Sequence, residues 1–381
     1  MTIRTTMTAG LAALVLGTGA AAADPVTVGL ITTLSGGGAG IGTDIRDGFQ
    51  LALDMNGGDS IHLVVEDDGR RPEQAVQIAD RMIQAEHAQI LTGIIWSNLA
   101  MAVIPAVTAQ EVFYISPNAG PSALAGAGCN PYYFNAAWQN DMLHEAAGAY
   151  ASEHGMNHTF ILAPNYPAGT DALTGFKRRY TGEIAGEIYT QLGQTDYAAE
   201  IAQIRASGAD SVFIFLPGGM GISFVRQYAQ SGVDLPLIST AFTVGQDSLP
   251  GMGEAALGVV NAGQWSPDLD NEANHAFVTA FREAYGRTPS LYASQAFDTA
   301  NLILSAVAAA DVNDHEAFRA ALRAADFASV RGAFRFGNNQ HPIQNVYMRE
   351  VVNADGEITN RLLGLAIADY QDVFASECPM Q

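Results

Sequence analysis

Three short segments bring polar groups and aromatic rings to the ends of apolar runs. The first is Trp96-Ser97-Asn98, directly after Ile90 to Ile95. Ser97 can cap a following helix there, and the free N–H groups of that helix's first turn favour a carboxylate. The same residues also suit an ordinary capped helix with a packed Trp, and both readings stay open. The second is Ser116-Pro117-Asn118-Ala119-Gly120-Pro121-Ser122, a small-residue loop that offers hydroxyls, an amide and close backbone approach. The third is Pro164-Asn165-Tyr166-Pro167-Ala168-Gly169. Tyr166 can stack on an apolar ligand while its hydroxyl finds a polar partner, or it can pack one lobe against another.

A glycine-rich stretch, Ser35 to Gly42, lies between a strand and a helix, and Asp67 ends the next strand. That placement suggests a dinucleotide site, but no frame completes a GxGxxG pattern. A loop at the carboxyl end of a parallel strand, where open α/β sheets bind ligands, is the better physical reading. Enzyme signatures are missing: there is no GxSxG, no HExxH and no CxxC. His154 and His158 are spaced for a metal pair, yet Gly155 stands between them where the helix should end, so surface histidines are expected. Glu66-Asp67-Asp68 reads as a polar strand end rather than a cation site. No catalytic residue, metal or cofactor is therefore assigned.

These segments need rigid elements to position them. Apolar runs at Val26 to Ile31, Ile61 to Val65, Ile90 to Ile95 and Val112 to Ile115 alternate with helical patterns. The helices are expected from near Asp44, with Ile45, Phe49, Ala52 and Leu53 on one face, from Pro72, with Ala75, Val76, Ala79, Met82 and Ile83, and from Leu99 to Gln110. This order implies a parallel sheet covered on both faces. The rhythm restarts with a helix at Met142 to Glu153 and strands at Thr159 to Ala163, Glu183 to Tyr189, Val212 to Leu216 and Leu235 to Ser239. Helices at Ala273 to Tyr285, Tyr292 to Ala310 and Glu316 to Ala325 follow. Strand-like stretches close the chain at Ala333 to Phe336, Ile343 to Val352 and Arg361 to Ile367, with a turn at Asp355-Gly356. They are too few for a third domain, so the chain is expected to cross back and complete both lobes.

The bulk numbers fit an exported α/β protein. The 381 residues exceed one usual domain, and 48% of them are hydrophobic, enough for ordinary cores. The formal net charge of −21 repels phosphate backbones and anionic lipid, which argues against nucleic-acid binding and membrane adsorption. Arg4, the apolar core Ala9 to Gly17 and Ala21-Ala22-Ala23 before Asp24 read as a secretory signal over residues 1–23, too short to span a bilayer. An even pair of cysteines, Cys129 and Cys378, suggests one disulfide in an oxidising compartment.

At these residues the sequence resembles the type I periplasmic binding proteins of the branched-chain amino acid transporter class. The opening Val28-Gly29-Leu30-Ile31 with Leu34-Ser35-Gly36 and Gly48 is similar to that family's first strand and loop. A subgroup that binds aromatic carboxylates, of the coumarate and benzoate kind, is more similar still. Its matching runs are Ser116 to Ser122, Leu124-Ala125-Gly126, Trp138-Gln139-Asn140-Asp141, Ala163 to Gly169, Gly175-Phe176-Lys177-Arg178, Ser329-Val330-Arg331-Gly332 and Gly337-Asn338-Asn339.

The resemblance implies two doubly wound α/β lobes joined by three crossovers, closing on a ligand like a hinge. The expected divisions are residues 24–138 with 267–341 for the first lobe and 139–266 with 342–381 for the second. Ser97 corresponds to a position that holds the ligand carboxylate, and Asn118, Ala119 and Gly120 to the loop that completes the grip. Ser35, Gly36 and Ile41 are placed in the same site, with Trp96, Tyr166, Phe242 and Thr243 as flanking surface. The amino-acid binders place an acid for the ligand ammonium near Thr240-Ala241-Phe242-Thr243, and this stretch has none. An α-ammonium there would lose a charged partner, at roughly 3–5 kcal/mol. The expected protein is thus a monomeric periplasmic component of an ABC importer. It would bind a small aromatic or hydrophobic carboxylate and dock on a membrane permease, with a branched-chain or other amino acid as the alternative ligand.

Overall fold

The computed structural model describes residues 24–380. The expected secretory segment, 1–23, lies outside the described residues. The chain builds β1 (Val26–Thr32), α1 (Ala39–Asn56), β2 (Ile61–Asp67), α2 (Pro72–Gln84), β3 (Ile90–Thr92), α3 (Ser97–Thr108), β4 (Phe113–Ser116) and β5 (Tyr133–Asn135). It then builds α4 (Met142–Glu153), β6 (His158–Pro164), α5 (Pro167–Arg179), β7 (Glu183–Thr190), α6 (Ala198–Ala206), β8 (Ser211–Ile214), α7 (Gly219–Gln230), β9 (Leu237–Thr240), α8 (Leu249–Met252) and β10 (Val260–Gly263). Last come α9 (Glu272–Tyr285), α10 (Leu291–Ala309), α11 (His315–Ala324), β11 (Arg335–Phe336), β12 (Pro342–Ala354) and β13 (Glu357–Tyr370).

The first sheet runs β2-β1-β3-β4-β5, and every pair in it is parallel. The second sheet repeats that order as β7-β6-β8-β9-β10, also parallel, and adds β12 antiparallel to β10. Each sheet therefore reverses direction beside its first strand, which opens a crevice at the carboxyl ends of the strands. The two crevices face each other. β13 pairs with β12 in a hairpin whose turn residues Asp355 and Gly356 both have positive φ, the geometry of a tight two-residue turn. The fold is two doubly wound α/β lobes.

Local signals explain most boundaries. Pro72 and Pro167 stand at the first helical positions of α2 and α5, where a missing N–H loses nothing. Ser290 caps α10 by accepting from the amides of Tyr292 and Ala293, and Asn271 caps α9 through the amide of Asn274. α1 begins at Ala39, not near Asp44, because the glycine-rich turn before it leads straight into the helix. Ile45, Phe49 and Ala52 on its inner face are fully buried, and Leu53 nearly so. β5, β10 and α8 were not anticipated. β5 has only three residues, and β10 carries Asn261 and Gly263 in place of a clean apolar run.

The chain passes between lobes after β5, after β10 and after β11. Arg331, 4% exposed, fastens these passages: it donates to the Ala136 and Ala137 carbonyls, to Gln344 Oε1 and to the Asp298 carboxylate. Beyond Tyr370 the chain leaves the second sheet. Asn338 donates to the Ala375 carbonyl, Asn339 donates to the Asp372 carboxylate, and Cys378 is bonded to Cys129 with Cα atoms 5.7 Å apart. The sequence assigned this tail to the second lobe with the rest of residues 342–381. Its contacts instead fasten it to the first lobe, because the strand pairing that holds β12 and β13 ends at Tyr370.

Candidate functional site

The loops at the carboxyl ends of β1, β3, β4, β6, β8 and β9 meet between the lobes. They line a small pocket between the lobes. The first lobe contributes Ile41, Ile95, Trp96, Ser97, Asn118, Ala119 and Tyr292, and the second contributes Asn140, His144, Tyr166, Phe215 and Phe242. Trp138, from the first passage between lobes, lies between them, and its ring centroid is 4.8 Å from that of Phe242. The mouth is narrow. A Cβ built on Gly218 of the β8–α7 loop would sit 2.9 Å from the Gly37 carbonyl across the cleft, so only glycine, here at φ +63°, permits this approach.

The aromatic walls are held from behind. Trp96 Nε1 donates to Thr33 Oγ1 at 3.0 Å, and the Thr33 hydroxyl donates to Asp68 Oδ1 at 2.6 Å. Burial raises the Asp68 carboxyl above its ordinary range, although the Thr33 hydroxyl and the Arg70 amide pull it back. Tyr166 stacks parallel on Phe215, with centroids 6.3 Å apart, and tilts toward Trp96 at the same separation. Burial keeps its hydroxyl protonated far beyond the usual range. The Tyr292 hydroxyl reaches across the cleft to the Phe242 carbonyl at 3.2 Å.

One polar group of the wall is built around the start of α3. Ser97 opens α3, so its amide and that of Asn98 lack intrahelical partners and point out of the helix start. Ser97 Oγ accepts from Asn140 Nδ2 at 3.1 Å, which leaves its own proton free to donate. Asn140 Nδ2 also donates to Asp171 Oδ2 at 2.8 Å, and Asn140 Oδ1 accepts from the Gly120 amide at 3.1 Å. Burial, then the charge of Asp141, pushes the Asp171 carboxyl up to about 6. Among the described residues no Lys, Arg, Asp or Glu lines the cavity.

Seven of the eleven residues proposed from sequence line this cavity together: Ile41, Trp96, Ser97, Asn118, Ala119, Tyr166 and Phe242. Four do not. Ser35 and Gly36 are exposed on the β1–α1 loop, whose turn carries them out to solvent. The Gly120 amide is engaged by Asn140, and Thr243 Oγ1 accepts from the Leu216 amide at 2.9 Å, so both brace the site from outside. Asn118 does not present its amide to an anion: its backbone N–H faces Ser116 Oγ, and its Nδ2 donates to the Ile95 carbonyl at 2.6 Å. The sequence reading missed Phe215, Tyr292, Asn140 and His144. Asn140 was in view within Trp138-Gln139-Asn140-Asp141. His144 sits in the first turn of α4, and nothing in the linear sequence singles it out. His154 and His158 are both exposed; one follows α4 and the other begins β6. Among the described residues no group of three metal-ligating side chains occurs, and no helix is long and apolar enough to cross a membrane.

Known proteins share this architecture. Leu/Ile/Val-binding protein homolog 6 of Brucella melitensis is 28% identical over 91% of this chain and 92% of its own length. A solute-binding protein of an ABC transporter from R. palustris, solved in complex with benzoate, superposes with a TM-score of 0.89 at 30% identity, covering 93% of this chain and 100% of that one. Another, from Rhodopseudomonas palustris BisB5 in complex with 3,4-dihydroxybenzoic acid, gives a TM-score of 0.84 at 28% identity over 92% and 99%. The family model described as periplasmic binding protein matches residues 25–357, and with two hinged α/β lobes around an interlobe cavity the chain belongs to the periplasmic binding protein family.

Proposed function

We propose that this protein is the periplasmic substrate-binding component of an ABC importer and that it captures a small aromatic monocarboxylate between its lobes. The observation that carries this reading is the combination of an aromatic cage, made by Trp96, Trp138, Tyr166, Phe215, Phe242 and Tyr292, with the donors at the start of α3 and, among the described residues, no Lys, Arg, Asp or Glu on the wall. A ring fits between faces and edges of such residues, and offset or edge contacts stabilise it by about 0.5–1.5 kcal/mol per pair beyond burial. The carboxylate lies at the start of α3, where the Ser97 hydroxyl and the first amides donate to it and the helix dipole favours negative charge. Neutral dipoles fixed in a dry site serve an anion without a counterion.

The lack of an acid on the wall works against a zwitterion, whose ammonium would be buried unpaired. Closure of the lobes removes the ligand from water and creates the surface that a permease recognises. The protein acts as a monomer, without turnover of its ligand. The solute-binding proteins with bound benzoate and 3,4-dihydroxybenzoic acid support this ligand class.

A thermal-shift panel tests the reading on protein unfolded and refolded to remove carried-over ligand. Benzoate- and cinnamate-type acids should stabilise the fold, by about 2.7 kcal/mol at a hundred times Kd. Stabilisation by leucine with no response to the aromatic acids would reverse the assignment.

A further inference from the structure

Among the described residues His144 is the one imidazole on the cavity wall, set in the first turn of α4 in the second lobe. It is 1% exposed, and its Nδ1 has no hydrogen-bond partner among the protein groups. Its ring is packed edge-on against Phe213 and Phe215, with centroids 5.8 and 4.9 Å away, and tilted against Phe242 at 5.7 Å. A polar ring buried among three phenylalanines is costly unless something pairs with it.

The placement of His144 along the cavity is informative. Asn140, whose amide holds Ser97, lies in the turn just before α4, four residues ahead of His144, and both side chains line the cavity. Ser97 and Asn140 make the anion end, with Ser97 at the start of α3 in the first lobe, and His144 lies on the second-lobe wall among Phe213, Phe215 and Phe242. A benzoate ring with its carboxylate on Ser97 of the first lobe extends toward the second-lobe wall that carries His144. Desolvation lowers the His144 pKa to about 3, so the ring is neutral at ordinary pH. A neutral imidazole offers one donor and one acceptor, as a phenolic hydroxyl does, whereas a carboxylate wants donors alone.

From this geometry we infer that His144 reads a hydroxyl on the ring edge opposite the carboxylate, which makes the preferred ligand class hydroxylated aromatic acids rather than unsubstituted ones. The inference rests on the aromatic-carboxylate reading above and narrows it. A buried polar group left unpaired by the wrong ligand discriminates strongly, because the analogue lacking the hydroxyl strands the imidazole.

Calorimetry with benzoate, 3-hydroxybenzoate and 4-hydroxybenzoate on the refolded wild type and on His144→Phe and His144→Asn decides the matter. The wild type should bind 4-hydroxybenzoate at least roughly tenfold more tightly than benzoate, with 3-hydroxybenzoate between them. His144→Phe should erase that preference while still binding benzoate, and His144→Asn should keep part of it. Wild type that binds benzoate as tightly as 4-hydroxybenzoate overturns the inference and leaves the carboxylate reading intact, and this arm needs no variant to fold. A preference that survives in His144→Phe overturns it as well. Binding of none of the three acids would sink the ligand class itself and this inference with it.

Discussion

The Ser97 hydroxyl is held by Asn140 so that its proton faces the cavity, and that geometry makes it the most exposed point of the ligand reading. Ser97→Ala should weaken carboxylate binding by about 1–3 kcal/mol in calorimetry, the worth of one charge-assisted hydrogen bond. Unchanged affinity would remove Ser97 from the grip. Asp171, which accepts from Asn140 and from the Ser122 amide, has a second testable property. Burial and then Asp141 raise its carboxyl to about 6, so between the ordinary carboxylate range and pH 6 the folded state holds a proton that the unfolded chain has lost. Stability should therefore fall as pH rises through that window. Urea midpoints of Asp171→Asn should show a smaller fall than wild type between pH 4.5 and 7. At this scale Trp96, Ser97 and Tyr166 were legible because each follows an apolar run at the carboxyl end of a strand, whereas Phe242 was named only through the family resemblance. Phe215 was hidden inside such a run, and Tyr292 inside an amphipathic helix. Gly120 misled because nothing in a linear sequence reveals that Asn140 reaches its amide.

Helices and strands explain why those residues converge. Both lobes use one strand order, and every wall except Ile41, Trp138, Tyr292 and the α4 face comes from a loop or helix start at the carboxyl ends. α1 carries Ile41 and crosses α10, which carries Tyr292, so the spacing of these two helices sets the width of the first lobe's wall. Gly48 makes the crossing close: a Cβ there would run into the Ala293 carbonyl. Gly48→Val should cost at least about 1–3 kcal/mol as overpacking against backbone, visible as a lowered Tm. A Tm within a degree of wild type would show that the helices separate freely. The strands of both lobes were legible as unbroken apolar runs, since a sheet covered on both faces needs no polar alternation. β5 and β10 were not, because a three-residue edge and a strand with Asn261 and Gly263 offer too little pattern.

For the molecule as a whole, the crossovers and their clasp decide how the halves move together. Arg331 pairs with Asp298, fully buried, while gripping two carbonyls of the first passage and Gln344 at the start of β12. Arg331→Met strands a buried carboxylate and should cost about 3–5 kcal/mol in chemical denaturation. Adding Asp298→Asn should recover part of that loss, and no recovery would mean that the carbonyl contacts dominate. Two lobes could be anticipated from the sequence, but the clasp could not, since its partners lie up to 195 residues apart. The bond between Cys129 and Cys378 spans a still longer interval, 249 residues. The pairing of β12 with β13 ends at Tyr370, so this tie holds the tail beyond it against the first lobe like a latch on a finished object. Reduced protein should therefore refold unaided and still take up its ligand, and oxidation afterwards should add about 2–5 kcal/mol of resistance to urea.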